Sequence, residues 1–148
     1  MEQKFLSSNC ANYHLKTLFI SFLILFFDQI IKHKIRSSGE FYVCNKGISF
    51  GIIIPEYFLW LIFGIISSIG LFFYIKTFRK IVIYKYSYIG VGFIFGGVFS
   101  NIIDRYIFHC ILDYILPFWQ KLPIFNIADL FIFLGSCFLL LLIYKKQN

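Results

Sequence analysis

Four stretches of this chain are apolar for about the length a helix needs to cross a bilayer, and no other feature limits its fold so strongly. The hydrocarbon core is ~30 Å thick and a helix rises ~1.5 Å per residue, so a span takes ~20 mostly apolar residues. Windows of that kind cover approximately Leu15–Ile31, Tyr57–Ile75, Tyr86–Ile103 and Ile124–Tyr144, with charge confined to their ends. Backbone groups in lipid must be satisfied within the chain. None of these windows alternates with period two, so each reads as a helix and not as a barrel strand. A hydrophobic share of 59% with 14% charged residues excludes an ordinary soluble domain, which is about half apolar and about a quarter charged. The expected fold is one all-α integral membrane domain over residues 1–148 with four transmembrane helices. The first window is kept as a span because no small-residue cleavage site follows it and Asp28, Gln29 and Lys32 come at once.

Four spans put both ends on one side. The N-terminal tail, the Lys76–Lys85 connection and the C-terminal tail hold Lys4, Lys16, Lys76, Arg79, Lys80, Lys85, Lys145 and Lys146, against Lys32, Lys34, Arg36, Lys46, Arg105 and Lys121 on the other side. This bias expects both termini in the cytoplasm. Acidic residues are more lopsided: only Glu2 is inner, whereas Asp28, Glu40, Glu56, Asp104, Asp113 and Asp129 sit at the outer ends. The net charge of +7 then lies mainly on the cytoplasmic side, where it suits anionic phospholipid headgroups. No nucleic-acid motif accompanies it. Cys10, Cys44, Cys110 and Cys137 show no CxxC spacing and read as inert; whether Cys44 and Cys110 pair is left open by the sequence.

Ionisable residues near membrane depth are costly and need a partner or a task. Here they come as FDQIIK (Phe27–Lys32), NKGISFG (Asn45–Gly51), GGVFSNIIDR (Gly96–Arg105), ILDY (Ile111–Tyr114) and FNIAD (Phe125–Asp129). Each has a structural reading. Asp28 and Lys32 can form an i,i+4 pair with Lys32 reaching toward headgroups. Gly92 with Gly96, and Gly64 with Ser68, allow close helix approach. Asn126 can cap the fourth helix, with Asp129 completing a capping box.

Capping alone does not explain repetition, because Asn-Ile-x-Asp occurs at Asn101–Asp104 and again at Asn126–Asp129, with Asp113 between. Antiparallel third and fourth helices would bring two of these carboxylates together beside Arg105. Two close carboxylates cannot both ionise cheaply, so they share a proton: one member takes a proton from water while the other donates to a carbonyl. Such a pair hydrolyses amides without metal or cofactor, and no HExxH or GxSxG motif offers another route. By the repeat, Asp129 would pair with Asp104; Asp113 is the other candidate. A proton-relay subunit would instead spread ionisable residues through the bilayer depth, yet the middles of all four windows are free of charge. A helix-assembly protein gives no reason for acids gathered at one face.

In this order on four spans, the motifs resemble the lipoprotein signal peptidase (signal peptidase II) family of bacterial inner-membrane aspartyl proteases, over nearly the whole chain. The resemblance implies removal of the signal peptide from a diacylglyceryl-modified prolipoprotein, cut before the lipidated cysteine at the outer face of the membrane, with no cofactor or metal; a monomer is expected, the sequence itself leaving oligomeric state open. It implies Asp113 and Asp129 as the catalytic pair. Asp28, Lys32, Asn45, Gly47, Asn101, Arg105 and Asn126 match its other motif positions, with Asn101 and Asn126 expected to orient the pair, Asn45 and Arg105 to hold substrate, and Asp104 to support Arg105. Ser100 stands where the family usually has Gly, as does His109, while Ile31 and Leu130 replace hydroxyl residues. His109 is expected at a solvated loop position or as a modulator of Asp113. Residues Gly39–Pro55 are expected to form a small extracytoplasmic β cradle as a strand pair. Cys110–Pro123, with Phe118 and Trp119, is expected at the interface as a lid or anchor.

Overall fold

The computed structural model describes residues 2–47, 86–118 and 123–147. The expected second span, the Gly64/Ser68 pair, the cradle beyond Gly47, and Trp119 lie outside these residues. Three helices are described: α1 (Glu2–Ser38), α2 (Ser87–Phe108) and α3 (Ile127–Gln147). Each is long and apolar enough to cross a membrane. The first runs past the expected end at Ile31 to Ser38, because nothing breaks it before Gly39, whose φ of +71° suits a helix-ending glycine. The helical turns carrying Lys32 and Arg36 are thereby ordered.

Helix α2 is central and packs on both others. Glycines permit this on two sides. A Cβ at Gly96 would stand 2.7 Å from the Ser21 carbonyl oxygen of α1, and one at Gly97 would strike the Ala128 carbonyl of α3. Neither backbone neighbour can step aside, so these positions set the helix separations. Burial is inverted relative to a soluble protein. Leu15, Leu18, Phe19, Phe22 and Phe26 are exposed along α1, whereas Asp28, Lys32, Ser100, Asp104 and Asn126 are all fully buried. An apolar exterior around a polar interior is what a hydrocarbon solvent selects.

Two three-residue strands, β1 (Val43–Asn45) and β2 (Ile111–Asp113), pair antiparallel with Val43 opposite Asp113, Cys44 opposite Leu112 and Asn45 opposite Ile111. The described strand pair therefore joins the cradle to the segment expected as a lid; the expected pair within Gly39–Pro55 lies partly outside the described residues. Directly opposed residues share a face. Val43, Asn45, Ile111 and Asp113 line one face, and Cys44 lines the other with Leu112. A Cys44–Cys110 disulfide, Cα atoms 5.4 Å apart, ties β1 to the residues just before β2, so these two cysteines are structural. A bridge between Ile115 and Phe125 gathers the ends of the following loop, and Phe118 is fully exposed.

Candidate active site

The site grows from the start of α3. Asn126 precedes the helix, and its Oδ1 accepts the Asp129 amide at 2.9 Å while Asp129 Oδ2 accepts the Asn126 amide at 3.4 Å. That reciprocal pair is the capping box legible in FNIAD. It leaves Asn126 Nδ2 free to donate to Asp113 Oδ1 at 2.7 Å. One asparagine thus holds a carboxylate on each side.

The same device recurs twice. Asn101 Oδ1 accepts Lys32 Nζ at 2.9 Å, so its amide nitrogen points to Asp129 Oδ1, 2.8 Å away. Asn45 Oδ1 accepts the Gly47 amide at 3.0 Å, so its nitrogen points to Asp113 Oδ2 at 2.9 Å, a diagonal contact on the shared sheet face. In each case a donor occupies the carbonyl end of the carboxamide and obliges the NH2 end to face an aspartate. The resemblance gave Asn45 to substrate; here its amide lies on Asp113. The Arg105 guanidinium donates to the Gly47 carbonyl and its charge acts on both Asp113 and Asp129.

Behind these lies a second cluster. Lys32 Nζ is 2.7 Å from Asp28 Oδ2 and 2.9 Å from Asp104 Oδ2, with no exposure of any of the three side chains. With Asn101, all three ammonium hydrogens are used. The expected i,i+4 pair forms, but Lys32 does not reach toward headgroups: two carboxylates draw it inward. Asp28 Oδ1 accepts the Ala128 amide at 3.1 Å, anchoring the first turn of α3. Asp104 accepts the Leu112 amide at 3.3 Å and pairs with Arg36 at 2.7 Å. All the site residues singled out in the sequence lie on this one connected network.

Three participants escaped sequence reasoning. Ser100 donates to Asp28 Oδ2 at 2.6 Å; Gln29 Nε2 donates to the Ser100 carbonyl at 3.0 Å and hydroxyl at 2.9 Å; Arg36 holds Asp104. These are contacts between α1 and α2, and only the serine in a glycine position signalled one of them. His109 takes φ +57° as the α2 C-cap, the left-handed geometry that explains why glycine is usual there.

Burial pushes the Asp113 carboxyl above its ordinary range, and the Asp129 charge pushes the same way; the hydrogen bonds from Asn45 and Asn126 and the Lys32 charge oppose this without cancelling it. The Tyr114 phenol next to Asp113 is also raised, chiefly by burial.

Fold and site together define a polytopic membrane protein that gathers carboxylates, asparagines and cations at one end of its helices. A family model described as signal peptidase (SPase) II matches residues 20–145. A lipoprotein signal peptidase of Blochmanniella pennsylvanica is 31% identical over 86% of this chain and 88% of its own, and one from Wigglesworthia glossinidia brevipalpis is 34% identical over 72% and 69%. A bacterial membrane enzyme solved by the in meso method at 1.9 Å resolution shares the fold with a TM-score of 0.69 at 24% identity, covering 89% of this chain and 94% of that one. This chain belongs to the signal peptidase II family and is a bacterial membrane protein.

Proposed function

We propose that the chain is a single-domain membrane aspartyl endopeptidase that removes the signal peptide from diacylglyceryl-modified prolipoproteins, with Asp113 and Asp129 as its catalytic pair. The observation that carries this reading is Asn126, whose amide group and backbone bind both carboxylates at once. Support for Asp113 over Asp104 as the partner of Asp129 comes from occupancy. Asp104 is committed to Lys32, Arg36 and the Leu112 amide, whereas the hydrogen bonds to Asp113 among the described residues come from the neutral amides of Asn45 and Asn126, with Arg105 and Lys32 acting on it by charge alone.

In this mechanism the pair holds one proton. The ionised carboxylate removes a proton from water as its oxygen adds to the scissile carbonyl, and the protonated carboxyl donates to the carbonyl oxygen. The resulting gem-diol collapses as a proton passes to the leaving nitrogen, breaking the C–N bond and regenerating the pair. Arg105, close to both acids, keeps their joint negative charge tolerable while Asn45, Asn101 and Asn126 fix their orientation.

The outer face of the membrane is supported by chemistry as well as by charge. The Cys44–Cys110 disulfide stands at the end that bears the carboxylates, and disulfides persist in oxidising compartments. The disulfide thus supports an extracytoplasmic position for that end, with both termini cytoplasmic. The test is to reconstitute the protein in lipid with a prolipoprotein peptide, with and without diacylglycerol on its cysteine, and to map products by mass spectrometry. Cleavage just before the lipidated cysteine is expected; cleavage elsewhere, or none, would overturn the assignment.

A further inference from the structure

Arg36 belongs to none of the motifs above, and the proposed chemistry does not use it. It sits one helical turn beyond Lys32 on α1. Its Nη2 lies 2.7 Å from Asp104 Oδ1, and its Cζ lies 3.6 Å from the centroid of the Phe108 ring. Asp104 and Phe108 are four residues apart on α2, so one guanidinium covers the last turn of that helix by an ion pair and a cation–π contact. The ion pair is shielded: Asp104 is 0% exposed and Arg36 19%.

Asp104 is where the two arms of the site meet. Through Lys32 and Asn101 it connects to Asp129, and through the Leu112 amide it holds the strand residue next to Asp113. Among the described residues, the charged and titratable groups facing this region are Asp28, Lys32 and Arg36 from α1, Asp104 and Arg105 from α2, Asp113 and Tyr114 from β2 and its end, and Asp129 from α3. Asp28 and Asp104 oppose Lys32 and Arg36, so among the described residues the charges behind the pair balance only when Arg36 is counted. Arg105 then balances an aspartate pair that carries one proton. Removing one partner from a buried charge pair leaves the other uncompensated in low dielectric.

We propose that Arg36 is a positioning residue for the Asp113–Asp129 pair: it neutralises Asp104, keeps the cluster behind the pair electroneutral, and so fixes both the geometry and the proton occupancy of the pair. This rests on the dyad reading and extends it to a residue outside the motifs.

The test is the pH–rate profile of kcat, with KM measured alongside, for the full chain in lipid with a lipidated prolipoprotein peptide. Arg36→Met leaves a surplus negative charge, which holds the shared proton more tightly; both limbs move to higher pH by about half a unit or more. Asp104→Asn leaves a surplus positive charge and moves them to lower pH. Arg36→Lys keeps the wild-type limbs, and the double variant Arg36→Met/Asp104→Asn restores them. KM changes less than kcat throughout. Equal losses of kcat with unmoved limbs, or displacements of one sign, would reduce Arg36 to a structural clamp. Should Arg36→Met not fold, Asp104→Asn and the double variant still decide: limbs restored in the double variant support the proposal, and limbs equally displaced in both overturn it. Asp113→Asn and Asp129→Asn run in parallel keep the two readings apart. Activity in either sinks the dyad itself, whereas their inactivity with unmoved Arg36 limbs sinks only the present inference.

Discussion

Asn126 Nδ2 lies 2.7 Å from Asp113 Oδ1, across the gap between a short strand and the start of a membrane helix. Since the same residue caps that helix and receives the Asp129 amide at 2.9 Å, its position relative to one carboxylate fixes its position relative to the other.

Asn126→Ala removes both functions. Loss of the cap costs about 0.5–2 kcal/mol of stability, and misplacement of one carboxylate lowers kcat on the order of a hundredfold. Thermal unfolding and kcat, measured together, check this. A stability loss without a kcat loss would make the asparagine a cap alone.

The pH dependence follows from Asp113. Its folded pKa is raised, chiefly by burial, so its contribution to stability is fully present below the unfolded value of about 3.9 and is lost as pH rises through the folded value. Over the same upper range the shared proton leaves, and cleavage falls. The melting temperature of wild type minus that of Asp113→Asn, followed against pH, is expected to fall as pH rises. A value that rises with pH would reverse the sign assigned here.

Much of this network could be read in the sequence because it is local. Asn126 with Asp129, and Asp28 with Lys32, are three and four residues apart, and helix geometry alone brings them together. What the sequence hid joins distant segments. Ser100 reaches Asp28, and Arg36 reaches Asp104, only because α1 and α2 cross closely at Gly92 and Gly96. The β1–β2 pairing was hidden for the same reason: three-residue strands have too little periodicity to reveal a partner so far along the chain. Lys32 followed the ordinary habit of long cations near interfaces until two buried acids overrode it.

The disulfide ought to matter to the site and not merely to the loop. A two-stranded ladder is marginal by itself, and Asn45 adjoins Cys44 on one that is three residues long. Reduction, or Cys44→Ser, is expected to cost about 2–5 kcal/mol and to lower kcat by releasing Asn45 from Asp113. Melting temperature and turnover with and without a phosphine reductant provide the check; unchanged turnover in the reduced protein would separate the cradle from the chemistry.

His109 offers a gain of stability. It occupies left-handed backbone with φ +57° at an exposed position, where a Cβ is disfavoured. His109→Gly is expected to stabilise the folded state by about 0.5–1 kcal/mol, measured as a rise in the unfolding midpoint. A fall would mean that the imidazole contributes more than the backbone conformation costs.

The most direct measurement is cleavage of a diacylglyceryl-modified prolipoprotein by Asp113→Asn and Asp129→Asn variants whose unfolding midpoints certify that they are folded. Each single replacement is expected to reduce kcat on the order of a thousandfold, because a lone carboxylate cannot both accept and donate the proton. Near wild-type turnover by either folded variant would contradict the shared-proton mechanism.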